Sequence, residues 1–367
     1  MSIFVSATEA SADHYIARLV TSIRQAGYTD KIYAMGGAEV GQTDAEIIQK
    51  GDKLQVMGLF DVVFALPKIL GIFKKVLNFI LKNNCETVVV CDGATFHMKL
   101  AKALRKKGYK GRIVYVSPPT VWAWKRWRVR DLRKNIDLCL PLFRFEHEFL
   151  LKHNVKSLWQ SYPLKQEAEE NILASKWSLG TDTVAFLPGS RKGEIKRLLP
   201  ILQDVAREIT ARGHHVIFSV APGLAKDTKK ILKDELKNNN LPYYEGSGQD
   251  LLYACDVAVI ASGTVTVQAL LANCYSVIVY RISNIAGYLA RILIPIRFFG
   301  MANILANNEI FPELLQERCT KENILNELEA YWNGQKGHGE AYQTLLSKAK
   351  ESFGTGDTYK FWASQIV

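Results

Sequence analysis

Gly189, Ser190 and Arg191 close the stretch LPGSR (187–191) and stand directly before KGEIKRLLP, a basic amphipathic segment with helical spacing. Glycine lets a backbone approach a phosphate closely, a helix N-terminus offers unpaired N–H groups, and arginine adds a bidentate cation. The chemistry this suits is pyrophosphate binding; an ordinary turn with Ser190 as a helix cap is the plain alternative. A second loop of the same kind, Ser262-Gly263-Thr264, runs straight into the apolar helical segment VTVQALLA (265–272). Two anion-type loops in one half of a chain argue for a diphosphate. Neither has the spacing of a dinucleotide fingerprint or a Walker loop, which disfavours dehydrogenases and P-loop NTPases.

The other half offers acids. Glu9, Ser11 and Asp13 follow the run IFVSA, where a carboxylate and a hydroxyl can hold or deprotonate a sugar hydroxyl, or cap the next helix. Asp92 ends TVVVCD, and His97 stands five residues on as a second acid/base candidate; a histidine at a helix start is more often structural. Trp122, Trp124 and Trp127 interleave with Lys125, Arg126 and Arg128. Such a segment can stack on a base or sugar, or sit at a lipid interface, and does not by itself identify nucleic-acid binding, which is not expected. The stretch 56–81 is rich in Phe, Ile and Leu with lysines at its edges, suited to an acyl chain or a membrane surface as well as to a core.

Forty-seven Lys and Arg against 36 Asp and Glu give a net charge of +11, which favours an anionic partner. The six cysteines show no CxxC spacing and read as buried thiols of a reducing compartment. No DxD, HExxH or HxH occurs, so neither a catalytic metal nor another cofactor is expected. The opening MSIFVSATEASAD has no basic n-region or apolar core, and the apolar stretches 60–81 and 285–300 carry charges, so a cytoplasmic chain without a spanning helix is expected.

These residues need a scaffold that brings loop ends together. Short β-branched runs at 3–7, 31–35, 87–92, 112–117 and 137–142 alternate with helical patterns, and the alternation restarts at 183–190, 214–220, 256–262 and 276–281. That is the signature of parallel sheets covered by helices. The expected fold is α/β: two Rossmann-like parallel-sheet domains facing a cleft. Residues 1–160 form the first, 161–180 a connector, 181–345 the second, and 346–367 a segment that can return to the first. Ligands in such sheets lie beyond the carboxyl ends of the strands, where the candidate loops fall.

Taken together, ATEASAD (7–13), VMG (56–58), YVSPPTVWAW (115–124), LPGSR (187–191), SGT (262–264), VYR (279–281) and ANILANNE (302–309) resemble the lipid-A-disaccharide synthase family in order and over nearly the whole chain. The resemblance implies a GT-B-type, metal-independent, inverting glycosyltransferase that transfers 2,3-diacylglucosamine from UDP to 2,3-diacylglucosamine 1-phosphate. It would act peripherally on the cytoplasmic face of the inner membrane. It also implies donor or acceptor contacts for Ser117, Trp122, Gln268, Arg281 and Asn303, beside Gly189, Ser190, Ser262, Gly263, Thr264 and Ser11, with Arg191 stabilising the leaving diphosphate. Four motifs depart from the family pattern. GEASGD is TEASAD here, DAPDFN is DGATFH (92–97) with Thr95 at the usual aspartate, GHP is SYP (161–163), and the glutamate after SGT is Gln268. Asp92, His97 and Glu9 are then the candidates for the base. A relative that binds a nucleotide sugar or lipid without this transfer is the alternative.

Overall fold

The computed structural model describes residues 2–51, 59–172, 179–282 and 297–367. The motif at 56–58, most of the apolar stretch 285–300 and residues 173–178 of the connector lie outside them. The chain divides into two compact units, one formed by Met1–Gln166 with Phe353–Val367 and the other by Glu167–Ser352.

In the first unit strands and helices alternate as β1 (Ile3–Ala7), α1 (Ala10–Gln25), β2 (Ile32–Gly36), β3 (Glu46–Lys50), α2 (Leu59–Lys82), β4 (Thr87–Cys91), α3 (Ala94–Lys106), β5 (Arg112–Val116), α4 (Val129–Asn135), β6 (Leu138–Leu140) and α5 (Arg144–Lys152), with α6 (Pro163–Ile172) following. The strands pair in parallel in the order β3-β2-β1-β4-β5-β6. Side chains alternate across a strand, and here both faces are covered. Ile3, Val5 and Ala7 of β1 join the core with α1, while Phe4 packs on the opposite side with Val88 and Val90 of β4, Val76 and Ile80 of α2 and Leu100 of α3. This explains why these strands read as continuous apolar runs.

The segment Phe353–Val367 completes the α1 side. Its helix Thr358–Ser364 buries Trp362 edge-on against Tyr15 and Tyr359, at 6.2 and 5.4 Å between ring centres. Ser161 of the SYP motif holds the segment in place. Its hydroxyl donates to the Gly356 carbonyl at 2.9 Å, so the Thr358 hydroxyl, 2.6 Å away, is the donor to Ser161 Oγ. Truncating a side chain as buried as Trp362 costs about 3–5 kcal/mol.

The second unit repeats the topology with β7 (Gly180–Leu187), α7 (Lys192–Ala211), β8 (His215–Ser219), α8 (Lys226–Asn238), β9 (Tyr243–Tyr244), α9 (Gly248–Ala254), β10 (Cys255–Ala261), α10 (Val265–Ala272), β11 (Tyr275–Tyr280) and β12 (Glu313–Leu315). Its strand order is β12-β11-β10-β7-β8-β9, all parallel. Numbered from its own first strand, each sheet therefore runs 3-2-1-4-5-6. The order reverses between β1 and β4 in one unit and between β7 and β10 in the other, which marks the ligand-binding crevice of each. Among the described residues no helix is long and apolar enough to cross a membrane.

Candidate active site

In the second unit the loops singled out by sequence meet at the reversal point. Leu187 is in register with Ile260, so LPGSR and SGT leave the sheet side by side. Gly189 has a φ of +103°, and a Cβ there would stand 2.8 Å from Glu194 Oε2 and 3.3 Å from Ala261 Cβ. The loop thus requires glycine in order to lie against the neighbouring strand. Arg191 precedes α7 and pairs with the buried Glu194 at 3.3 Å, while its side chain stays 62% exposed. Ser190, Gly263 and Thr264 are exposed, and Ser262 is half-buried.

A third element joins them. The start of α9 packs on the end of β7, since a Cβ on Gly248 would lie 2.8 Å from Leu187 Cδ2. Ser247 caps this helix by accepting from the Gln249 amide at 3.2 Å. Gln268 of α10 donates to Gln249 Oε1 at 3.3 Å, which ties α10 to α9 beside the crevice. The N-terminal ends of α7, α9 and α10 all face this edge, and the positive ends of their dipoles with Arg191 give it positive character.

Of two further residues expected from the resemblance, Arg281 lies at the same sheet edge, where the Ser262 amide donates to Val279 O at 3.1 Å, and only Asn303 is turned away from a ligand. Arg281 is exposed just past β11, close to the buried Cys319 thiol. Asn303, expected to contact substrate, is instead fully buried. Its amide donates to Phe311 O at 2.7 Å and Glu313 Oε1 at 2.8 Å, and its carbonyl accepts from the Ile310 and Phe311 amides at 2.9 and 3.0 Å. Every donor and acceptor position of the side chain is used, leaving none for a ligand.

In the first unit the reversal point gathers Thr8, Glu9, Asp92, Gly93 and His97. Glu9 is exposed at the N-cap of α1, and Ser11 is exposed in its first turn. Asp13 is buried and accepts from the Gly37 and Glu39 amides at 2.5 and 2.9 Å, so it anchors the loop after β2. Asp92 is half-buried with a φ of +51°, and its Oδ1 accepts from the Gly93 amide at 2.7 Å. Thr95 is exposed in the first turn of α3.

The geometry corrects the reading of His97 as an acid/base group. It is fully buried, and burial lowers it to about 4, partly offset by its bond to Asp92. Nδ1 lies 2.7 Å from the Asp92 carbonyl, which can only accept, so Nδ1 carries the proton. Nε2 must then accept from the Ser6 hydroxyl, also at 2.7 Å. Tyr115 donates to the same Asp92 carbonyl at 2.8 Å. Ser6 and Tyr115 carry no sequence signal of this role, because each sits inside an apolar strand run.

The tryptophan segment follows β5. Ser117 is half-buried with a φ of +50° and donates its amide to Leu140 O at 2.9 Å. Trp122 Nε1 donates to Glu146 Oε1 at 3.1 Å, and its ring meets Phe145 edge-on at 5.0 Å. Glu146, which sequence reasoning missed, is raised to about 7 by burial against the opposing pull of its bonds to Trp122 and the Phe143 region. Trp124 and Trp127 are 37% and 62% exposed, with Lys125 and Arg128 over their rings at 4.1 and 5.6 Å.

The sequence matches the family model of lipid-A-disaccharide synthetase over residues 3–358. The chain belongs to the lipid-A-disaccharide synthase family. It is 32% identical to the lipid-A-disaccharide synthase of Myxococcus xanthus over 339 residues, covering 90% of this chain and 88% of that one. It is 30% identical to that of Solibacter usitatus, covering 95% and 92%. Members of the lipid-A-disaccharide synthase family are hexosyltransferases of lipid A biosynthesis, and this chain is one, transferring 2,3-diacylglucosamine from UDP to 2,3-diacylglucosamine 1-phosphate with release of UDP. Nothing in these matches favours a relative without this transfer.

Among solved structures, UDP-GlcNAc 2-epimerase of Methanocaldococcus jannaschii in complex with UDP-GlcNAc and UDP aligns with a TM-score of 0.62 at 13% identity, covering 99% of this chain and 98% of that one. MurG of Acinetobacter baumannii aligns at 0.58 and 14% identity, covering 100% and 98%. At these identities the likeness establishes the fold, the GT-B-type pair of parallel-sheet units.

Proposed function

We propose that the second unit holds the UDP-sugar at the ends of β7 and β10 and that the first unit binds the acylated acceptor, with Asp92 as the base. The observation that carries the donor assignment is the convergence of α7, α9 and α10 with Arg191 on one reversal point. Ser190, Gly263 and Thr264 are exposed there to meet the diphosphate, and Gln268 borders the place of the nucleoside. Asp92 is preferred over His97 because His97 has both nitrogens engaged, and over Glu9 because Asp92 is the carboxylate at the end of β4.

The acceptor hydroxyl oxygen attacks the anomeric carbon while the bond from that carbon to the diphosphate oxygen breaks. Asp92 takes the hydroxyl proton, and UDP leaves with the electron pair. The N–H ends of α7 and α10 and the Arg191 guanidinium stabilise the charge that develops on it. Inversion follows from attack on the face opposite the leaving group.

Acylated substrates place the reaction at a lipid surface, and we assign the chain to the cytoplasmic face of the inner membrane. Exposed Trp124 and Trp127 beside Lys125, Arg126 and Arg128, and exposed Leu70 with Lys68, Lys74 and Lys75 on α2, suit an anionic interface. The test is UDP release from UDP-2,3-diacylglucosamine, which is expected only when 2,3-diacylglucosamine 1-phosphate is added. Folded protein that releases no UDP with both substrates overturns the reading. Flotation with anionic vesicles, lost in Trp124→Ala/Trp127→Ala, tests the membrane assignment separately.

A further inference from the structure

Asp92 combines two features that need a cause. It is a non-glycine residue in the left-handed region, at a φ of +51°, an uncommon conformation that persists where surrounding contacts enforce it. Its carbonyl accepts two side-chain hydrogen bonds, from His97 Nδ1 at 2.7 Å and Tyr115 Oη at 2.8 Å. The two donors come from different elements, α3 and β5, and both are fully buried. Helix α3 has no need of this carbonyl for its own bonding, since the Phe96 and His97 amides donate to Gly93 O.

Both lone pairs of the carbonyl are filled, and the Asp92 amide donates to Val116 O at 3.2 Å. The residue is therefore held on both sides of its Cα. A side chain on a backbone so held leaves the sheet in one direction, and its carboxylate is steadied further by the Gly93 amide. Ser6 completes the arrangement by fixing the tautomer that lets His97 donate.

We infer that His97 and Tyr115 are positioning residues that clamp the Asp92 carbonyl and so aim its carboxylate at the acceptor hydroxyl. The inference rests on the reading of Asp92 as the base and adds the device that orients it. Misplacing a catalytic group by a fraction of an ångström lowers turnover without weakening binding of the other substrate.

The experiment uses the full chain and measures UDP release with both substrates for Asp92→Ala, His97→Ala, His97→Asn, Tyr115→Phe, and His97→Ala and Tyr115→Phe each combined with Asp92→Ala. His97→Ala and Tyr115→Phe are expected to lower kcat by on the order of tenfold with the donor KM unchanged. His97→Asn, whose amide can donate to the same carbonyl, is expected to restore most of the loss. In the Asp92→Ala background neither change is expected to lower kcat further, whereas a purely structural effect would multiply. Should His97→Ala fail to fold, Tyr115→Phe, which removes one hydroxyl, carries the test. Full kcat in Tyr115→Phe and His97→Ala beside a crippled Asp92→Ala overturns the clamp alone. Full kcat in Asp92→Ala overturns the base, and the clamp with it.

Discussion

Thr8 and Gly93 occupy a space that has room for only one of their side chains. A Cβ on Gly93 would stand 2.2 Å from Thr8 Oγ1 and 3.0 Å from His97 Nδ1. The two positions stand at the ends of the neighbouring strands β1 and β4, so a side chain at one excludes a side chain at the other. Gly93→Ala is expected to destabilise by about 1–3 kcal/mol through overpacking. Thr8→Gly added to it should recover the overpacking part of that loss while the strain of a φ of +55° remains, so the double variant loses clearly less than the sum of the single effects. Urea unfolding of the two single variants and the double gives the cycle; additive effects would mean that the space is not shared.

Two buried groups of the first unit titrate with opposite signs. Glu146 ionises near 4.5 in an unfolded chain and is held up to about 7 when folded, so its contribution to stability falls as pH rises through that window. His97 gains its proton near 6.5 unfolded and is held down to about 4, so its contribution falls as pH drops through 6.5 toward 4. Between 4.5 and 6.5 the slopes oppose each other. Relative to the unsubstituted chain, Glu146→Gln should therefore gain stability with rising pH, and His97→Asn should lose it, each by about 3 kcal/mol across its window. Unfolding free energies at pH 4.5 and 7 check both; variants that track the parent curve would refute the assignment.

Asn303 holds the turn before β12 rather than a substrate. Asn303→Ala orphans the buried Ile310 and Phe311 amides and takes a donor away from Phe311 O and from the Glu313 carboxylate, each unmet group costing about 1–3 kcal/mol. The expected outcome is a marked drop in thermal midpoint, with donor affinity at low temperature unchanged by calorimetry. A selective loss of donor binding at full stability would instead restore it to the binding site.

Gly189→Ala tests the anion loop. At a φ of +103° alanine is strained, and its methyl would meet the Glu194 carboxylate that pairs with Arg191. A stability loss of about 1 kcal/mol is expected. The weakening of UDP binding should be disproportionate, on the order of tenfold, because the loop moves with Arg191. Titration calorimetry with UDP reads it directly.

The central strands were legible because each is buried on both faces and so spells an unbroken apolar run. β3, β9 and β12 escaped the pattern for the converse reason. They are edge strands, two of them only two or three residues long, and Glu46–Lys50 begins and ends in a charge. The anion loops could be found because their position after a strand, their glycine and their hydroxyls are all local signals. The clamp on Asp92 was not legible. It depends on a positive φ at an aspartate and on β4 and β5 standing in register, which brings Tyr115 opposite Val90 and within reach of the Asp92 carbonyl. Asn303 misled because its partners, Phe311 and Glu313, lie eight and ten residues further along a turn that composition does not reveal.

Trp362 and Tyr359 sit in the core around α1, yet they are separated from the rest of the first unit by all of Glu167–Ser352. On a ribosome that makes the chain from its N-terminus, the first unit emerges first but cannot close its core until the other unit has been synthesised. Its sheet must wait with an apolar groove beside α1 open to solvent. The two units are thus coupled in time, and the half that is born first is the last to be finished.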